Sequence, residues 1–525
     1  MLALLPELVL SGAEARPDAT ALRFKGQALT YADLARATRQ LACGLMRLGL
    51  DRSERVAVYL PKQFETVIAF FGTSLAGGVF VPVNPLLKAD QVAHILTDCN
   101  VRILITSPER AADLEAVLAT CPDLRHIVLV GKAGSVSRAK SLGWAELLGS
   151  EDRVGHRVLD VDMAAILYTS GSTGKPKGVV LSHRNMMTGA RSVAEYLRNV
   201  PADRLLAVLP FSFDYGFSQL STAFLTGASV TLMDYLFARD VITMVANERI
   251  TGLAGVPPLW VQLAEQTWPE PAQASLRYIT NSGGAMPRST LARLRASLPR
   301  TKPFLMYGLT EAFRSTYLPP EEVDRRPDSM GKAIPQAEIL VVRPDGTICD
   351  TDEPGELVHR GSLVALGYWN DAQKTAERFK PLPGQDPGLV LTEMTVWSGD
   401  TVRRDAEGFL YFVGRRDEMI KTSGYRVSPT EVEEVLYATG LVRDAVAVGV
   451  AHPTLGQAVV IVASAAEGRS NDSETLLKEC RQRLPTFMVP LHIEWQDSLP
   501  RNPNGKFDRP RLASEMAGLF GGAGK

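Results

Sequence analysis

At 525 residues the chain is longer than one hydrophobic core supports, so about three domains or subdomains are expected. Acidic and basic residues nearly cancel, 58 against 57, with no long run of either sign, which argues against a nucleic-acid partner held by a basic surface. The five cysteines are odd in number and form no CxxC pair, so nothing suggests zinc or redox work, and a reducing cytoplasm fits.

The opening MLALLPELVLSGAEA has no basic segment ahead of its apolar residues and is interrupted by Pro6 and Glu7, so it does not read as a signal peptide. The uncharged stretch from Thr66 to Leu87 is cut by Gly77, Gly78 and Pro82, and reads as a buried helix and strand rather than a membrane span. A soluble protein is expected. Thr30, with Asp33 three residues on, reads as a helix N-cap, and Leu34, Leu41, Leu45 and Leu48 then share one face up to Gly49. Strands follow at 55–60, 79–82, 101–106 and 126–130, alternating with helices at 63–76, 89–98 and 111–120. This β-α-β succession predicts a parallel sheet covered on both faces. Residues 131–158 read as a surface connection.

The stretch Tyr168 to Val179, YTSGSTGKPKGV, comes next, led by a short strand at 164–167. Gly171, Gly174 and Gly178 permit backbone angles at which successive N–H groups converge on an anion. Thr169, Ser170, Ser172 and Thr173 add hydroxyl donors, and Lys175 and Lys177 add charge. This is a phosphate cradle, but not a Walker loop, because Pro176 follows Lys175 where Ser or Thr is required. Helices at 184–198 and 217–225 and strands at 204–209 and 229–233 resume the alternation, which implies a second α/β unit. From about residue 331 short strands at 337–342, 355–360 and 408–413 predict a small barrel-like β subdomain. Beyond Gly414 a mixed region begins, with a helix at 429–438 and strands at 442–450 and 459–463. The predicted organisation is a large domain over 1–416, with α/β units to about 330 and the β subdomain over 331–416, followed by a smaller α+β lid over 417–525.

Downstream of the cradle stand NSGGAMP (281–287), MYGLTEA (306–312), WSGDTVRRDAEG (397–408), GRRDEMIKTSGYRV (414–427), LPTFMVP (484–490) and LPRNPNGKFDR (499–509). With the cradle, these segments resemble, in order, the signatures of the adenylate-forming superfamily: AMP-forming acyl-CoA synthetases, carrier-protein adenylation domains and firefly-type luciferases. The wording of VFVPVNPLLKADQVAHILTDC and YGLTEAFRSTYLPPEEVDRRPDS is similar to acyl-CoA ligases associated with exosortase A systems. The resemblance implies a cytoplasmic ligase using ATP, Mg²⁺ and coenzyme A, or a phosphopantetheine arm on a separate carrier protein, to activate a small carboxylic acid.

By the same resemblance, the loop from Thr169 through Ser170, Gly171, Ser172, Thr173, Gly174 and Lys175 to Lys177 covers the β- and γ-phosphates. Thr310 touches the α-phosphate, Glu311 holds Mg²⁺, Tyr307 lies against adenine, and Gly308 beside it belongs to the nucleotide site. Gly283, Gly284 and Ala285 line the adenine edge, Asp400 accepts the ribose hydroxyls, and Arg415 binds ribose or phosphate. Lys506 bridges the substrate carboxylate and the α-phosphate. Asp417 matches a hinge about which the small domain rotates, after which Lys421 and Gly424 replace Lys506 for the thiol half-reaction. The acyl pocket is expected to draw on Phe213, Asp214, Phe217, Val256 and Ala312. Asp214 stands where fatty-acyl and aryl-CoA ligases usually carry a histidine-containing gate. It implies either an amine-bearing substrate or a carboxylate turned to a backbone amide or helix end. A sensor that has lost catalysis predicts damage at Lys506, Glu311 or Asp400, and all three are intact. A luciferase-like oxygenase shares the first step.

Overall fold

A computed structural model describes residues 2–131, 140–148, 155–169, 176–415, 419–422, 425–452, 455–484, 486–502 and 505–520. Three sheets organise them. At the heart of the first, Arg55–Tyr59 is flanked in parallel by Val79–Pro82 and Val101–Thr106. Phe80 faces one apolar core while Val79 and Val81 face another, so this strand is buried on both sides and its sequence is uninterruptedly apolar. The helix expected after Thr30 spans Tyr31–Arg47, closed by a reciprocal capping box between Thr30 and Asp33.

The region expected as a surface connection is in part structural. Lys140–Gly143 adds a parallel strand beside His126–Leu129, and Leu147 in the following turn is buried. Its carbonyl accepts from Arg47 Nη2 at 3.0 Å. The polar composition of the segment conceals this, although Leu142, Trp144, Leu147 and Leu148 in this strand and turn supply apolar contact.

The second sheet runs in parallel through Thr20–Phe24, Ser229–Leu232, Arg204–Ala207, Gly252–Gly255, Tyr278–Asn281 and Lys302–Tyr307. It then continues antiparallel through Thr316–Leu318, Ser329–Ala333, Leu410–Arg415, Met394–Arg404, Gly355–Gly361 and Ala337–Val342. The strands expected to close a separate barrel-like unit therefore form an open extension of this sheet, and no closed barrel occurs among the described residues. Ser329–Ala333 is the reason, since it pairs with a strand of each part. Gly331 permits the join. Its φ is +86°, and a Cβ there would lie 1.8 Å from the Tyr317 carbonyl oxygen.

The third sheet, with Val442–His452 and Gly456–Ala465 as its long hairpin, carries helices Pro429–Ala438 and Ser473–Arg483 over its own apolar core. A large N-terminal domain and a smaller C-terminal one result. The expected boundary at Asp417 lies outside the described residues. Among those residues no helix is long and apolar enough to cross a membrane.

Candidate active site

Met163–Thr169 pairs antiparallel with Lys177–Ser182, with Thr169 opposite Lys177 and Tyr168 opposite Gly178. The glycine-rich segment thus connects the two arms of a β-hairpin, whereas a Walker loop leads from strand to helix. The second arm escaped the sequence reading, although the apolar run Val179–Leu181 was a signal for it. Ser170, Gly171, Ser172, Thr173, Gly174 and Lys175 lie outside the described residues. Gly178 is held to glycine by packing: a Cβ there would come within 2.7 Å of Ile166 Cγ2. Lys177 Nζ stands 5.4 Å over the Tyr368 ring. Burial pushes its pKa down, and the nearby charges of Lys374 and Arg378 push it the same way, so the hairpin base is rich in positive charge.

Glu311 lies in the single turn Thr310–Ala312 that follows strand Lys302–Tyr307. Its backbone carbonyl accepts from Ala365 N at 2.8 Å, and its carboxylate accepts the hydroxyl proton of Tyr368. Arg378, at the end of helix Ala372–Arg378, donates Nη1 to the Trp397 carbonyl at 2.8 Å. Burial opposes its charge, but Glu311, Tyr368 and Asp400 more than offset this and leave its pKa raised. Tyr307 ends its strand with the hydroxyl donated to Asp400. Asp400 is 6 % exposed, and its N–H donates to Ser398 Oγ at 3.1 Å. Across the ladder from it stands Arg415, whose side chain lies outside the described residues.

After strand Tyr278–Asn281 the chain turns through Gly283, at φ +81°, while Asn281 Nδ2 holds the Gly284 carbonyl at 2.9 Å. Lys506, in the C-terminal domain, lies directly over this turn, its Cε 3.6 Å from where a Cβ on Gly283 would sit. A local turn presents it: the Lys506 N–H donates to Asn502 Oδ1 at 3.1 Å, and the Asn502 N–H to the Lys506 carbonyl at 2.8 Å. Val256 Cγ1 approaches the same point on Gly283 to 3.5 Å.

A family model described as AMP-binding enzyme matches residues 11–369, and one described as AMP-binding enzyme C-terminal domain matches residues 431–506. The chain belongs to the AMP-binding enzymes. Feruloyl-CoA synthase of Amycolatopsis sp. is 31% identical over 511 residues, covering 96% of each chain. Tyrocidine synthase 3 of Brevibacillus parabrevis is 30% identical over 95% of this chain, which spans only 7% of that much longer protein. Among solved structures, ATP-bound MatB from Rhodopseudomonas palustris superposes with a TM-score of 0.87 at 24% identity, covering 99% of this chain and 100% of that one, a likeness of fold.

In this AMP-binding enzyme, Asp214 stands at a helix end, one of the two expected placements, and a side chain rather than a substrate ammonium is its counter-charge. It begins helix Asp214–Thr226 and forms a buried ion pair with Arg314, Nη1 to Oδ2 at 2.8 Å. Burial pushes the Asp214 carboxyl up and Arg314 opposes the shift. Phe217, expected in the acyl pocket, belongs to the core instead. Its ring packs on Phe70, Phe71 and Phe80. Helical phase separates the two faces: Tyr215, Ser218 and Thr222 line a cavity, while Phe217, Leu220 and Phe224 point to the core. Ala312 is fully buried, Phe213 is the half-buried residue before the helix, and Ala285 is exposed. A side chain on Gly308 is excluded, since a Cβ would come 2.6 Å from the Phe313 carbonyl oxygen.

Lys421 forms part of strand Ile420–Thr422 with its side chain outside the described residues, as is Gly424. Tyr368, Arg378 and Arg314 are the site neighbours that sequence reasoning missed. No group of three or more His, Cys, Asp or Glu side chains able to hold a metal occurs among the described residues. The donor set here, the Glu311 carboxylate with Lys177 and Arg378 within electrostatic reach, suits Mg²⁺, which is commonly held by one or two carboxylates together with substrate phosphates and water.

Proposed function

We propose that the chain is an ATP-dependent, AMP-forming acid–thiol ligase. A carboxylate oxygen attacks the α-phosphorus of ATP, the bond to pyrophosphate breaks, and an acyl-adenylate forms. A thiolate then attacks the acyl carbon, and AMP leaves. The observation that carries this reading is Lys506 of the small domain standing over the Gly283 turn of the large one. Anionic oxygens gather in the first step, and fixed positive charge aimed at them lowers its barrier.

In this reading Lys506 bridges the reacting carboxylate and the α-phosphate, with Thr310 beside them. The hairpin loop and Lys177 meet the outer phosphates. Glu311 would hold Mg²⁺, which when bound supplies charge neutralisation between phosphates. Tyr307 presents its ring to adenine, while Asp400, an acceptor-only group, takes the ribose hydroxyls. Tyr307's hydroxyl on Asp400 supports this by setting the two side by side. Arg415 adds a cation from the facing strand. For the thiol step the small domain turns about Asp417, withdrawing Lys506 and bringing in Lys421 and Gly424. The domain limits 1–416 and 417–525 belong to this proposal.

Coenzyme A is the acceptor favoured by the likeness to feruloyl-CoA synthase along nearly the whole of both chains. The second reading, loading of a separate carrier protein, draws on the likeness to tyrocidine synthase 3. The five buried cysteines, none of them in a disulfide, suit a cytoplasmic enzyme. Pairing of Asp214 with Arg314 speaks against a substrate ammonium at that position. The deciding experiment measures pyrophosphate and AMP with MgATP and a panel of fatty, aryl, hydroxy and amino acids, with and without coenzyme A. AMP formation from an acid that turns over only with coenzyme A is the expected result, and no pyrophosphate from any acid would overturn the proposal.

A further inference from the structure

Arg314 is 2 % exposed, yet only one side of its guanidinium is matched. Nη1 donates to Asp214 Oδ2 at 2.8 Å and to the Phe313 carbonyl at 3.1 Å. The other edge, Nε together with Nη2, meets no acceptor. Two parallel donors make up this edge, and their spacing fits both oxygens of one carboxylate. Elsewhere in the molecule the same edge is used in that way. Arg360 holds Glu393 through Nε and Nη2 at 2.7 and 2.8 Å, and Arg184 holds Asp160 at 2.7 and 3.1 Å.

Arg314 lines a small cavity between helix Asp214–Thr226 and strands Tyr278–Asn281 and Lys302–Tyr307. Tyr215 and Thr280 satisfy one another at 2.6 Å, and Tyr196 gives its proton to Met306 Sδ at 2.9 Å. Arg314 reaches the Tyr196 hydroxyl by charge and by a side-chain contact, both of which lower the Tyr196 pKa against its burial, but no bond of full hydrogen-bond geometry joins them. Thr222 Oγ1 is unmatched as well. Arg314 Nε and Nη2 are thus buried charged donors without a matched acceptor, the costliest kind of group to leave open. As it stands, the cavity has room for about one water. Met306 in its wall is a flexible side chain able to admit a compact group. The reacting end is close by, because Thr280 in the cavity wall stands three residues before Gly283, over which Lys506 lies.

We propose that the open edge of Arg314 receives a second carboxylate, at the far end of a short dicarboxylic acid whose first carboxylate is adenylated beside Lys506. This rests on the ligase reading. The acid's second carboxylate forms no covalent bond, and its two oxygens accept from Nε and Nη2 while Nη1 stays on Asp214.

The test uses the full-length enzyme with MgATP and compares kcat/KM for pyrophosphate release with succinate, butanoate and 4-hydroxybutanoate. Succinate is expected to exceed both by roughly tenfold or more, because a site built to hydrogen-bond a group rejects the analogue lacking it. In Arg314→Gln that ratio is expected to collapse towards one, and in Arg314→Lys, which keeps charge without the fork, to fall most of the way. Wild-type preference for butanoate or 4-hydroxybutanoate, or equal rates with all three, would sink the proposal while leaving adenylation intact. Absence of pyrophosphate with every acid would instead defeat the ligase reading. Because the wild-type comparison stands alone, a variant that fails to fold does not weaken the test.

Discussion

Two side chains, one proposed to act on the reacting groups and one that holds a neighbour in place, each depend on a partner far along the chain. Lys506 reaches the Gly283 turn only because its own domain is docked there. Replacing it with alanine is expected to slow acyl-adenylate formation by roughly 10² or more. The same variant should still pass a chemically prepared acyl-adenylate to the thiol, which single-turnover measurement of each half-reaction checks. Asp214 is the other case. Asp214→Ala leaves Arg314 buried without its counter-charge, which costs about 3–5 kcal/mol. A denaturation midpoint unchanged from wild type would falsify the view that the pair is buried and coupled.

At the scale of elements, helix Asp214–Thr226 ties the cavity to the core. Gly216 lies on it where a Cβ would fall 1.8 Å from the Pro210 carbonyl oxygen. Gly216→Ala must therefore push the helix from the preceding loop, at about 1–3 kcal/mol. Tyr215 and Ser218 move with it, so the KM for the acid is expected to rise while the KM for ATP holds. Steady-state kinetics with each substrate varied in turn separates the two. The helix was legible in the sequence, but its orientation was not. Phe217 looks suited to a pocket, and only the ring cluster of Phe70, Phe71 and Phe80 turns it away from one. Similarly, Gly331 reads as an ordinary turn residue until its contact with Tyr317 shows how the two parts of the long sheet join.

For the molecule as a whole, the important contact is between domains. Helix Pro429–Ala438 rests on helix Arg288–Ser297, and there burial pushes the Glu434 carboxyl up to about 7. Arg288 opposes the rise, whereas Asp328 and Glu433 add to it. The ordinary value is 4.5, so between these two pH values the docked arrangement binds more protons than the undocked one. Docking is thus strongest below about 4.5, weakens as pH rises towards about 7, and changes little beyond. The rate of adenylation relative to thiol transfer should accordingly decline across that interval. Glu434→Gln should flatten the decline, as measured by the two half-reactions from pH 5 to 8, and an unaltered profile would remove Glu434 from this role.

Local signals were sufficient for much of this. The Thr30 capping box, the buried strand Val79–Pro82 and the long hairpin of the small domain follow from neighbours in the chain, because caps and periodicity act over a few residues. Ordered motifs likewise named Lys506, Glu311, Asp400 and Tyr307 before any coordinates. Tertiary structure alone brought Tyr368 to Glu311, Arg378 to the same corner and Arg314 to Asp214. Those pairings span up to 100 residues, and a side chain's partner at that separation is set by how sheets and helices stack, which no local pattern of residues encodes.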